Sequence, residues 1–216
     1  MEECNNDLQN FWENSFQEKQ LMWGETPTHS ASIAAIHFEQ ANLKNILIPG
    51  IGYGRNAKPF LEKGMTVSGI EISKTAIELN KQINGSNIKT IFHGSTKQMP
   101  YNNEIYDGIF CYSLIHLLDE FDRSELISSC YNQLKVGGQM IFVMVSKNFP
   151  SFGKGKKLSE DRFETIPGVR LYFYDPQTID EQFKDYGLIE VREIQETNSK
   201  YPTNHLPEYW FIRCIK

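Results

Sequence analysis

Apolar residues along this chain alternate between short unbroken runs and stretches with an apolar position every third or fourth residue. The short runs read as strands: Asn45–Pro49, Thr66–Glu71, Ile88–His93, Ile105–Ser113 and Gln139–Ser146, the last an almost unbroken apolar run of the kind a buried central strand carries. Helical segments lie between them. One covers Ala57–Lys63, one opens at the capping Ser73 and reaches Gln82, and one runs Ser124–Leu134 up to Gly137-Gly138. Upstream, residues 7–22 carry Leu8, Phe11, Trp12, Phe16 and Leu21 near helical spacing behind Asp7 as an N-cap, and a second helix covers Ser30–Gln40. Downstream, a helix over Pro176–Tyr186 ends at Gly187, and Leu188–Glu196 and Tyr209–Ile215 read as two strands. Strand alternating with helix predicts a doubly wound, mostly parallel α/β sheet with right-handed crossovers. No helix separates the last two strands, so they are expected to pair antiparallel.

The first of those strands leads straight into Pro49-Gly50-Ile51-Gly52-Tyr53-Gly54-Arg55-Asn56. Strand, glycine turn and helix in that order suit a ligand that must approach backbone closely, because a Cβ would stand in its way. The second strand ends in Glu71, seventeen residues after Gly54. An acid at that tip is placed to accept ribose hydroxyls. The dinucleotide fingerprint Gly-x-Gly-x-x-Gly is not met, since the third glycine comes one residue early and Arg55 fills its slot. The phosphate-binding loop is also absent, with no Gly-Lys-Ser or Gly-Lys-Thr after the turn.

The spacing Gly50-x-Gly52-x-Gly54 resembles motif I of class I S-adenosylmethionine-dependent methyltransferases. The following Arg55-Asn56 is similar to the Gly-Arg-Asn of a small-molecule branch, the tellurite-resistance and thiopurine methyltransferase-like proteins. Tyr106 to His116 resembles the family's fourth-strand motif, and Leu134-Lys135-Val136-Gly137-Gly138 its turn before strand five, with Val136 where a proline is usual. The resemblance spans residues 45–146. It implies a seven-stranded Rossmann-like sheet with the last strand inserted antiparallel, and S-adenosylmethionine as cofactor.

The same resemblance implies site residues. Glu71 would hold the ribose with Ile72 beside it, Ser95 and Thr96 would meet the adenine, and Cys111 and Tyr112 would flank the cofactor at the end of strand four. Trp23, in a Trp-Gly segment like that of the same branch, either closes over the methionine part by a cation–π attraction or anchors the N-terminal helix. His116 is the catalytic candidate, as general base or as a wall of the acceptor pocket. His29, Tyr174, Tyr201, His205 and Trp210 are further pocket candidates. The acid usual two residues before the first motif glycine is missing: Ile48 stands there.

Composition narrows the partners. The chain has 216 residues and a formal charge of −5, which argues against general affinity for nucleic acid. Lys154, Lys156 and Lys157 form a basic stretch, but Glu160-Asp161 follows at once. No apolar run approaches a membrane span and the N-terminus is acidic and polar, so a cytoplasmic protein is expected. Cys4, Cys111, Cys130 and Cys214 lack metal-ligand or disulfide spacing, so no metal is expected. A single domain is expected, with residues 1–42 as a helical cover, 45–146 as the cofactor core and 147–216 as a C-terminal cover with the last two strands. The acceptor expected is a small molecule. The rival readings are a non-catalytic S-adenosylmethionine-binding protein, an NAD-dependent oxidoreductase, and a protein or RNA methyltransferase.

Overall fold

The computed structural model describes residues 2–196 and 206–216. Its helices are α1 (Glu2–Lys19), α2 (His29–Gln40), α3 (Lys58–Glu62), α4 (Lys74–Asn84), α5 (Glu120–Asn132) and α6 (Pro176–Phe183). The strands are β1 (Asn45–Pro49), β2 (Thr66–Glu71), β3 (Ile88–His93), β4 (Tyr106–Tyr112), β5 (Leu134–Val145), β6 (Lys156–Ser159), β7 (Arg162–Ile166), β8 (Val169–Tyr172), β9 (Leu188–Gln195) and β10 (Glu208–Ile215). Seven strands form one sheet in the order β3-β2-β1-β4-β5-β10-β9. Pairing from β3 through β5 is parallel, and β10 lies antiparallel between β5 and β9. The chain order therefore reverses between β1 and β4, where such sheets place their ligand crevice.

Two apolar layers sandwich the sheet. Ile46 and Ile48 of β1 face a layer that includes Phe38 of α2 and Phe60 of α3, whereas Leu47 faces the opposite layer with Phe142 and Phe183. This explains why β1 reads as an unbroken apolar run: both its faces are covered. Among the described residues, no helix is long and apolar enough to cross a membrane.

Three expectations about elements need correction. Helix α5 starts at Glu120, because Asp119 caps it by accepting the Asp122 N–H at 3.0 Å, and it ends at Asn132. The pair Gly137-Gly138 does not stop that helix. It lies inside β5, where the register against β4 shifts, Gly137 takes φ +79°, and a Cβ on Gly138 would come within 2.7 Å of the Asp107 carbonyl oxygen. Here the glycines shape a bulge. Asp7 is not an N-cap, since α1 is already helical from Glu2.

The first part of the expected C-terminal cover, for which no strand was expected, contains β6, β7 and β8 in a separate antiparallel sheet. Phe163 and Phe173 pack at 6.0 Å, and Phe152 meets both at 5.6 and 5.3 Å, so an aromatic cluster fixes this small sheet on the core. Lys147 ties the β6–β7 turn to the start of α6, bonding Asp161 at 2.7 Å and Asp175 at 2.6 Å.

Candidate active site

At the carboxyl ends of β1, β2 and β4 a cleft of about 280 Å³ opens. Its floor is the turn after β1. Gly50, Gly52 and Gly54 take φ of +68°, +58° and +81°, a region that favours glycine. Their roles differ. A Cβ on Gly52 would point into the cleft, with Phe16 Cζ its nearest neighbour at 3.9 Å, so this backbone is open to a ligand. A Cβ on Gly54 would strike Asn80 and Asn84 of α4 within 2.5 Å, so Gly54 instead allows the helix to approach.

Glu71 ends β2, is 5% exposed and already has three partners. Its Oε2 accepts the Gly52 N–H at 2.8 Å, and its Oε1 accepts those of Ile72 and Ser73, both at 2.9 Å. Burial raises its carboxyl pKa against these three bonds, which lower it. A carboxylate offers about four lone-pair sites, so Oε2 retains room for one further donor. The residue is thus a strut between the glycine turn and the start of α4 as well as a wall of the cleft.

The N-terminal cover is fastened to the glycine turn by the residues between and after the glycines. The Tyr53 hydroxyl accepts the Trp23 N–H at 3.1 Å and donates to the Gly24 carbonyl at 2.8 Å. Arg55 donates to the Trp23 carbonyl at 2.9 Å. Asn56 accepts at 3.0 Å from the backbone N–H of Thr28, the N-cap of α2. Trp23 stacks on Tyr53 at 6.1 Å and 21°, and packs on Trp12 and Phe16 of α1. It therefore anchors the cover while lining the cleft. Glu13 holds α1 on the other side, accepting from Ser73 Oγ at 2.7 Å and Thr75 Oγ1 at 2.6 Å. Although desolvation raises its pKa, these bonds bring Glu13 down to about 2.

The far wall comes from β4 and the turn after it. Tyr112 stacks on Tyr209 of β10 at 5.9 Å and 27°, and burial pushes its phenol well above the usual range. Ser113 takes φ +53°, an uncommon conformation for a side-chain-bearing residue and one that clusters at functional sites. His116 is 4% exposed, and its Nδ1 accepts the Val145 N–H at 3.3 Å. Burial drives its imidazole down to about 3, so the ring is neutral.

Most of the expected site residues meet here. Trp23, Gly50, Gly52, Gly54, Glu71 and Ile72 line one part of the cleft, and Ser95, Thr96, Tyr112 and His116 another. Ser95 Oγ also caps the short turn Thr96–Gln98, accepting the Lys97 N–H at 3.3 Å. Cys111 is a correction. Alternation along β4 turns its side chain away from Tyr112's side, into the core with Leu47 and Cys130, and it does not line the cleft. Tyr174 is likewise core, His29 spends its backbone N–H on Glu196 at the start of α2, and the Trp210 indole donates to the Tyr174 carbonyl; none of the three lines the cleft. Tyr201 and His205 lie outside the described residues. Ile48 is core, and Glu71 is the one carboxylate among the described lining residues.

Sequence reasoning missed the wall made by Leu8, Trp12 and Phe16 of α1 and by Val169 and Leu171 of β8. The apolar spacing of α1 signalled a buried face without saying what it faced. For Tyr53 and Arg55 the available signal was their position inside the turn itself.

A methyltransferase-domain family model matches residues 47–142, the stretch from β1 into β5. Thiocyanate methyltransferase 1 of Brassica oleracea is 23% identical over 158 residues, 72% of this chain and 70% of the relative. The fold is similar to that of 1,6-didemethyltoxoflavin-N1-methyltransferase from Burkholderia thailandensis, solved with S-adenosylhomocysteine, at TM-score 0.73 and 14% identity, covering 100% of this chain and 89% of that one. TehB from Haemophilus influenzae is similar at TM-score 0.62 and 16% identity, over 84% of this chain and 61% of that one. Glycine turn, strand-end acid, sheet order and these relatives together support a class I S-adenosylmethionine-dependent methyltransferase.

Proposed function

We propose that this enzyme methylates a small molecule held beneath a lid formed by α1, the Trp23 segment and the β6–β8 sheet. One observation carries the reading: the turn that faces the cofactor is itself bonded to the cover through Tyr53, Arg55 and Asn56. A cleft roofed in this way suits a compact acceptor better than a polymer. The net charge of −5 supports the same preference over nucleic acid. The thiocyanate methyltransferase and the toxoflavin-precursor methyltransferase, by their names, act on small molecules, in keeping with this. We read residues 1–42 as the cover, 45–146 as the cofactor core and 147–216 as the remaining cover and strands of a single domain, working in the cytoplasm.

The residues present fit S-adenosylmethionine. The Gly52 backbone is open to the cleft, Oε2 of Glu71 has a lone pair to spare, and aromatic rings of Trp12, Phe16 and Trp23 provide an apolar wall. Glu71 would hold one ribose hydroxyl, Ile72, Ser95 and Thr96 would border the adenine, and Trp23 and Tyr112 would flank the methionine part. Bound there, the cofactor supplies a methyl group on a sulfonium that is already a good leaving group. The chain then has to align the acceptor and exclude water. Incubating the protein and labelled S-adenosylmethionine with thiols, selenite, tellurite, amines and phenols, and identifying methylated products by mass spectrometry, tests this. Transfer to one of these classes is expected. Labelling of protein or RNA alone would overturn the small-molecule reading, and cofactor binding without any transfer would favour a non-catalytic role.

A further inference from the structure

We propose that His116 serves the methyl acceptor as a fixed hydrogen-bond donor through Nε2–H, and is not its general base. The inference deepens the small-acceptor reading and rests on it.

The argument begins at the sheet. Strand β4 ends at Tyr112, and Ser113, at φ +53°, leads the chain away after its N–H has bonded the Val143 carbonyl at 2.9 Å. Val145, two residues further along β5, therefore turns its backbone groups toward a side with no strand. Buried backbone groups need partners. The Val145 carbonyl takes the Tyr174 N–H at 3.1 Å, and the Val145 N–H goes to His116 Nδ1 at 3.3 Å. A nitrogen that accepts an N–H carries no proton of its own, so the single proton of a neutral ring sits on Nε2. Among the described residues, nothing bonds Nε2, while His116 lines the cleft beside Ser113 and Leu117. Burial alone keeps the ring neutral, since no described charged group acts on it.

The chemical consequence concerns the acceptor. With one ring nitrogen spent on β5 and the other already protonated, His116 has no lone pair with which to take a proton. The acceptor must arrive with a free lone pair, as a thiolate, another soft anion or an unprotonated aromatic nitrogen, and must offer an atom that accepts the Nε2–H. Its lone pair forms the new bond to carbon while the carbon–sulfur pair returns to sulfur. An anionic acceptor thereby becomes neutral as the positive charge on sulfur is lost, and no proton moves.

Two measurements on the full-length protein test this. Nitrogen-15 labelling of histidine, followed by NMR of the ring nitrogens, reports which nitrogen is protonated. A neutral Nε2–H ring from about pH 8 to about pH 5 is expected. An Nδ1–H ring, or titration near the ordinary pKa of about 6.5, would overturn the proposal. The second measurement is the pH profile of kcat/KM with two thiols of different acidity, for the wild type, His116→Gln and His116→Ala. The profile should shift with the thiol. Glutamine, which keeps an N–H near the Nε2 position, should retain activity within about tenfold, and alanine should lose more, mainly through KM for the thiol. A profile fixed at one pH for both thiols, with glutamine as impaired as alanine, would make His116 a base and refute the proposal. Failure of every small acceptor, with the ring tautomer as expected, would instead sink the small-acceptor reading and take the donor role with it.

Discussion

Tyr53 holds Trp23 twice, by ring stacking at 6.1 Å and by a hydroxyl that accepts the Trp23 N–H at 3.1 Å. Tyr53→Phe separates the two contributions, because it keeps the ring and removes the hydroxyl's two hydrogen bonds. The cover should then dock more weakly by about 1–3 kcal/mol, from two bonds of ordinary net strength. Amide hydrogen exchange over residues 21–26 would reveal it. Unchanged protection there would mean that stacking and Arg55 suffice.

Gly52→Val places a β-branched side chain at φ +58° and directs it into the cleft. Left-handed backbone alone costs roughly 1–2 kcal/mol for such a residue. Calorimetric titration with S-adenosylhomocysteine should show no binding, while circular dichroism stays close to the wild type. Normal affinity would remove the cofactor from this turn.

Glu71→Ala should weaken cofactor binding by about 1.5–3 kcal/mol, the range for bonds to a charged group. Tm should fall as well, since the Gly52, Ile72 and Ser73 N–H groups lose their acceptor. A variant with lower Tm but full affinity would assign Glu71 to the strut alone.

Glu13 sets a pH dependence. Its pKa is lowered from 4.5 to about 2, so its contribution to stability is complete above about pH 4.5 and is lost as pH falls toward about 2. Glu13→Gln should flatten that part of the curve when urea midpoints are compared across the acid range. Parallel curves for the two proteins would place the acid sensitivity elsewhere.

Removing residues 1–24 leaves Thr28, which caps α2, in place. The truncated protein should fold, yet lose most methyl transfer to small acceptors, because the wall of Trp12, Phe16 and Trp23 has gone. Full activity after truncation would exclude the lid.

How far the sequence could be read follows from where each signal originates. β1, its turn, β2 and Glu71 were legible because apolar runs and glycines report local demands of the backbone. β10's place between β5 and β9 followed only from the resemblance, since strand order is a long-range property. The β6–β8 sheet was missed because β6 is exposed along its whole length and so carries no apolar run to mark it as a strand. Cys111 was misplaced by one step of strand alternation: its neighbour Tyr112 faces the cleft and it does not. The bond from Val145 to His116 had no sequence signal, because it depends on where β4 stops relative to β5.

Glu196, just past the end of β9, accepts the N–H groups of His29 and Ser30 across 167 and 166 residues of chain. Closing so wide a loop costs entropy that local structure does not repay, so contacts of this kind form late in folding. Docking of the first turn of α2 on Glu196 is therefore expected to follow assembly of the sheet. Weakening Glu196 should hasten unfolding while leaving the refolding rate nearly unchanged, which makes this carboxylate a determinant of how long the folded enzyme lasts.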